Sequence, residues 1–135
     1  MDKRINCIML VDDNPDDNFY HERIIKMYDF TECVIIKESG IDALEYLKTI
    51  KDDEDKKLDL IFLDINMPGM NGWEFLNEFS KLSDSIKSEL IIVMLTTSDN
   101  PDDVAKSKKW NFVSDYKTKP LTKEMMEEIL DKYFT

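Results

Sequence analysis

Strand-length apolar runs alternate with segments of helical period along this chain, and that alternation leaves few folds open to it. The runs are Ile5 to Val11, Cys33 to Lys37, Leu58 to Leu63, Leu90 to Leu95 and a weaker one from Ser114 to Thr118. The first, third and fourth are continuously apolar, the pattern of strands covered by helices on both faces of a parallel sheet. Five strands alternating with five helices predict a doubly wound α/β sandwich. At 135 residues and 42% hydrophobic content the chain suits one domain over 1–135, with no output domain.

The helices carry their own start signals. Asn14-Pro15 and Asn100-Pro101 each set an N-cap residue before a proline, within a pentapeptide Asp-Asn-Pro-Asp-Asp that occurs at 13–17 and again at 99–103. This is shared capping grammar rather than a domain repeat. Ser39 with Asp42, and Asn71 with Glu74, resemble capping boxes, and Thr122 can cap the last helix. There Met126, Ile129, Leu130 and Tyr133 form one apolar stripe, read as core.

Charge narrows the partners. Eighteen basic against 29 acidic residues give a net charge of -11, which argues against nucleic acid or an anionic membrane and favours a cation or a basic protein surface. The run Ile5 to Val11 after Met1-Asp2-Lys3-Arg4 is too short to span a membrane and has no signal-peptide cleavage pattern, so a cytosolic location is expected. Cys7 and Cys33 form no CxxC or Cys/His cluster and read as reduced core residues. Asp52 to Lys57 reads as a solvated loop, and His21, with no second ligand, as a helix-surface residue.

In an open parallel sheet, ligands bind beyond the carboxyl ends of the strands. Those ends carry Asp12-Asp13 on the first strand, Asp64 on the third, Thr96-Thr97 on the fourth and Lys119-Pro120 on the fifth. Two unit charges about 4 Å apart repel by about 4 kcal/mol at an effective dielectric near 20, so three carboxylates brought together need a cation, a proton or a lysine. A hard divalent ion such as magnesium suits oxygen ligands and keeps positions that a phosphate can fill. Lys119 adds positive charge and Thr96 a hydroxyl, so the set can neutralise a phosphoryl group while a carboxylate attacks it in line.

Asp12-Asp13, the run Asp64-Ile65-Asn66-Met67-Pro68-Gly69-Met70-Asn71-Gly72, Leu95-Thr96 and Tyr116-Lys117-Thr118-Lys119-Pro120 occur in the order and spacing of one known family. Over its whole length the chain resembles the receiver domain of bacterial response regulators. The resemblance implies a flavodoxin-like three-layer sandwich with strand order 2-1-3-4-5. It also implies that Asp64 is the phosphoacceptor, that Asp13 and Asp64 ligate magnesium directly and Asp12 through water, and that Asn66 adds its backbone carbonyl. Thr96 and Lys119 would contact the phosphoryl oxygens, and Tyr116 would swing inward as Thr96 moves, biasing a surface of the fourth helix, fifth strand and fifth helix. The implied partner is a sensor histidine kinase or a histidine phosphotransfer protein, with the signal passed on by docking or relay and room for a phosphorylation-dependent homodimer. In such a family Asn66 and Ser98 tune the acyl-phosphate lifetime, and neither predicts a rate here.

Two positions depart from the family pattern. Phe112 stands where many receivers have glycine, so Asn111 is expected to take a left-handed turn. Lys117 replaces an apolar strand residue, so a short or exposed fifth strand is expected. Two other classes compete. A magnesium phosphatase using an aspartyl phosphate would carry an acid at position 66, where Asn66 stands. A flavin carrier would need close backbone approach to a phosphate, which three glycines scarcely provide.

Overall fold

The computed structural model describes residues 5–50 and 57–134. Along the chain run β1 (Ile8–Val11), α1 (Pro15–Met27), β2 (Val34–Lys37), α2 (Gly40–Ile50), β3 (Leu60–Leu63), α3 (Gly72–Phe79), α4 (Asp84–Glu89), β4 (Ile91–Thr96), α5 (Pro101–Ser107), β5 (Val113–Thr118) and α6 (Lys123–Tyr133). All strand pairs are parallel and the sheet order is β2-β1-β3-β4-β5. Among the described residues there are six helices where five are expected, because α4 forms between α3 and β4. Most of the acidic run near Asp52 falls outside the described residues.

Successive residues of a strand face opposite sides, so each apolar run feeds two cores. Met9, Val11, Ile61, Leu63, Ile92 and Met94 pack with Leu44, Leu47, Phe75, Leu76 and Phe79 of α2 and α3. Ile8, Leu10, Leu60, Phe62, Val93 and Leu95 pack on the other face with Ile25 of α1 and Met126 and Ile129 of α6. Each such side chain, fully buried, contributes about 2 kcal/mol. This two-faced burial is why the β1, β3 and β4 runs lack polar alternation.

The caps form as the sequence implies. The Asn14 side chain accepts from the Asp16 and Asp17 N–H groups, that of Asn100 from Asp102, and that of Thr122 from Met125. Asn71 and Glu74 make a complete capping box.

The fifth strand departs from expectation. It is six residues long, with Ser114 bulged between Val113 and Asp115. Lys117 is drawn down onto Glu128 of α6 and lies 3.7 Å from Asp115, so its side chain is largely covered. Nor is Asn111 left-handed: among the described non-glycine residues only Asp29 has positive φ. Phe112 instead packs its ring 5.1 Å from that of Phe79.

The largest correction concerns the cysteines, which are disulfide-bonded rather than reduced, with Cα atoms 4.7 Å apart. Each precedes its strand by one residue, and β1 and β2 are neighbours, so strand pairing brings together two residues 26 apart in sequence. A closed loop of that size restrains the unfolded chain by about 3 kcal/mol. Chemical reduction, followed by urea unfolding against the oxidised protein, is expected to lower stability by about that amount with the transition still cooperative.

Candidate functional site

Asp12, Asp64, Thr96 and Lys119 reach one sheet edge because the parallel register aligns the strand ends. The Asp12 N–H donates to Lys37 O at 3.1 Å, that of Asp64 to Val11 O at 3.0 Å, and that of Lys119 to Thr96 O at 2.8 Å. The loop after β3 is shaped by two glycines. Gly69 has φ +80°, and Gly72 approaches the acceptor loop so closely that a Cβ there would lie 2.6 Å from Asp64 O and 2.9 Å from Ile65 Cα. The Gly72 N–H closes this loop onto Ile65 O at 2.8 Å.

Asp12, Asp13 and Asp64 each offer a carboxylate oxygen, and these atoms lie within 4.8 Å of one another. Asp12 and Asp64 are buried and Asp13 half-buried. Lys119 crosses the cluster: its Nζ donates to Asp12 Oδ2 at 2.6 Å and Asp17 Oδ2 at 2.8 Å and lies 3.6 Å from Asp64 Oδ2. An open cleft above them is lined by Asp12, Asp13, Asp17, Asp64, Asn66 and Lys119, with Thr97 and the α1 cap. Asn66 and Thr97 are exposed at its rim, whereas Thr96 is fully buried. The Tyr116 hydroxyl donates to Ser98 O at 2.8 Å, tying β5 to the loop after β4, and Ser98 Oγ donates to Asp103 Oδ2 at 2.6 Å.

The electrostatics follow from burial and proximity. Burial, then the Asp12 charge, raises the Asp64 carboxyl above its ordinary value, while Lys119, the Thr96 hydroxyl and the Ile65 N–H pull it back. Burial alone would lower the Lys119 ammonium, but its hydrogen bonds to Asp12 and Asp17 and the charge of Asp64 raise it overall. A clustered, oxygen-only, net anionic donor set in an open cleft fits a hard divalent cation.

Sequence reasoning missed three members of this region. Asp17, read only as part of a capping pentapeptide, pairs with Lys119. Asn18 and His21 are buried, His21 at 3% exposure, which corrects the expectation that it lies on the helix surface. With Ile25 they form the buried stripe of α1, under the acceptor beside Asp12, Asp64 and Leu95. Asn18 Nδ2 donates to Asp12 O at 2.8 Å, and its Oδ1 has no hydrogen-bond partner among the described residues. The i, i+3 and i+7 spacing of Asn18, His21 and Ile25 was the available signal, hidden because two polar residues occupy an apolar stripe.

A family model, the response regulator receiver domain, matches residues 8–131. The chain is 33% identical over 101 residues to response regulator Rcp1 of Synechocystis, which covers 74% of this chain and 67% of that protein. A crystal structure of a two-component response regulator from Cytophaga hutchinsonii superposes with TM-score 0.87 at 32% identity, over 95% of this chain and 96% of that one. The Mn(2+)-bound form of response regulator Rcp1 superposes with TM-score 0.74 at 29% identity, over 96% and 94%. The fold and the matching family model thus define a receiver-type signalling domain. The chain belongs to the response regulator receiver family of two-component systems. No helix among the described residues is long and apolar enough to cross a membrane.

Two outcomes follow from these charges. A carboxyl raised above its unfolded value stabilises the fold only below its folded pKa, so at neutral pH the ionised Asp64 is a cost. Asp64→Asn is therefore expected to raise the metal-free melting midpoint, by about 4 °C per kcal/mol relieved. His21 is lowered below its ordinary value by burial and then by Lys119, against Asp17 and Asp12. The unfolded chain then protonates first, and stability falls as pH drops below about 6.5. In metal-free melts from about pH 7 to about pH 5, His21→Gln is expected to lose less stability than wild type.

Proposed function

We propose that this receiver accepts a phosphoryl group on Asp64 from a phosphohistidine, carried by a sensor histidine kinase or a histidine phosphotransfer protein, in a magnesium-dependent reaction. The observation that carries this reading is the gathering of Asp12, Asp13 and Asp64 around Lys119 at the carboxyl edge of the sheet. Receivers as a family take phosphate from such donors, and the manganese-bound Rcp1 structure is of a protein similar to this one.

Asp13 and Asp64 would hold the ion directly and Asp12 through water, with the Asn66 backbone carbonyl as a further ligand. What magnesium supplies when bound is positive charge against the carboxylates and the phosphoryl oxygens. One Asp64 oxygen attacks phosphorus in line, a P–O bond forms, and the P–N bond breaks with its electron pair going to the donor ring, which leaves as neutral imidazole because its other nitrogen is already protonated. Lys119 turns from Asp12 and Asp17 to the phosphoryl oxygens, and the Thr96 hydroxyl donates to another. Movement of Thr96 draws Tyr116 off Ser98 O, which repositions the face formed by α5, β5 and α6. Two arrangements separated by a few kcal/mol suffice for such a switch.

Intact-mass spectrometry after incubation with a small acyl-phosphate donor tests this. Wild type with magnesium is expected to gain the mass of one phosphoryl group, lost on chelation of the metal before the donor is added. Asp64→Asn is expected to gain none, and a full adduct persisting in that variant refutes the acceptor assignment.

A further inference from the structure

The disulfide lies at the amino ends of β1 and β2, opposite the edge that carries Asp12 and Asp64. Its two halves differ in surroundings. Cys7 is 4% exposed and packs into the apolar cluster under α2 and α3, with its carbonyl accepting from the Asp59 N–H at 3.1 Å. Cys33 is exposed, beside the outermost strand of the sheet, which bonds to β1 alone. A thiolate must approach the attacked sulfur from behind the S–S bond, so access selects which sulfur is struck. Solvent reaches Cys33, whereas a nucleophile aimed at Cys7 would have to enter the core.

We propose that the Cys7–Cys33 pair is a thiol-exchange site, at which a low-molecular-weight thiol adds to Cys33 and Cys7 serves as the resolving residue. The incoming thiolate forms a new S–S bond to Cys33 Sγ as the bond to Cys7 Sγ breaks, and Cys7 leaves as a thiolate that takes up a proton. Return attack by the Cys7 thiolate expels the small thiol and restores the disulfide. A second small thiolate attacking the mixed disulfide instead releases the small-molecule disulfide and leaves both cysteines as thiols, so the two electrons that reduce the protein come from two small thiols.

The local hydrogen bonds allow this without unfolding. Ile8 N–H donates to Cys33 O at 3.0 Å, the Thr31 hydroxyl to Asn6 O at 3.0 Å, and the Cys33 N–H to Thr31 Oγ1 at 3.2 Å. These hold β2 beside β1 when the covalent link opens, so the change is confined to the sheet edge and the acceptor edge is untouched. The site thereby couples thiol status to the stability of the fold rather than to its phosphorylation chemistry.

The test uses the full chain, air-oxidised, with reduced glutathione as the probe. After acid quench and alkylation with N-ethylmaleimide, peptide mapping is expected to place glutathione on Cys33 and the maleimide on Cys7. In Cys7→Ser, incubation with glutathione disulfide is expected to leave a stable adduct on Cys33, because the resolving thiol is gone. In Cys33→Ser, Cys7 is expected to stay unmodified in native buffer and to react in urea. Glutathione on Cys7 in the wild type, full maleimide labelling of both cysteines in the oxidised protein, or exchange that proceeds only under denaturing conditions would each overturn the assignment.

Discussion

Repulsion among three carboxylates at the carboxyl edge of the sheet is the constraint around which this molecule is organised. Asp12, Asp13 and Asp64 are brought within 4.8 Å by strand register, and two of them are buried. Left alone such a cluster would protonate or push the strand ends apart. Lys119 opposes both, bonded to Asp12 and Asp17 and near Asp64. The metal-free protein therefore already contains one fixed cation within the cluster, and any arriving ion or phosphoryl group redistributes that cation's contacts. Burial, and after it the charge of Asp12, raises the Asp64 carboxyl, while hydrogen bonds to Asp12 and Asp17 and the charge of Asp64 raise the Lys119 ammonium.

The surroundings keep this arrangement in place. The Gly72 approach pins the loop after Asp64 to the start of α3, and the capping box of Asn71 and Glu74 fixes that helix directly behind it. The α1 cap at Asn14 aims the first turn so that Asp17 can reach Lys119. The two apolar clusters, one on each face of the sheet, hold the strands whose ends bear the charges. Positioning a few oxygen atoms is thus the work of nearly every element.

Much of this was legible in the residues. Continuous apolar runs implied buried parallel strands, Asn-Pro pairs marked helix starts, and the acids, threonine and lysine at the run ends implied the site. What escaped reading has physical reasons. The disulfide depends on β1 and β2 being neighbours, a fact of strand order that neither cysteine's local sequence carries. The six-residue α4 is too short to show a period. His21 reads as a surface residue and Asn18 draws no notice because their polarity suggests solvent, whereas geometry makes them part of the inward stripe of α1. Lys117 looked like an exposed edge residue until α6 supplied Glu128 above it.

The indole rings of Trp73 and Trp110 stack 5.7 Å apart and 9° from parallel, with the Lys106 ammonium 4.9 Å over Trp73. One ring rides on α3, which follows the acceptor loop, and the other on the turn after α5. The stack therefore ties α3 to the turn after α5 through a contact between two rings. A displacement of α3 against that turn changes the overlap of the two indoles, so the chain's own tryptophan fluorescence reads such a movement without an attached dye.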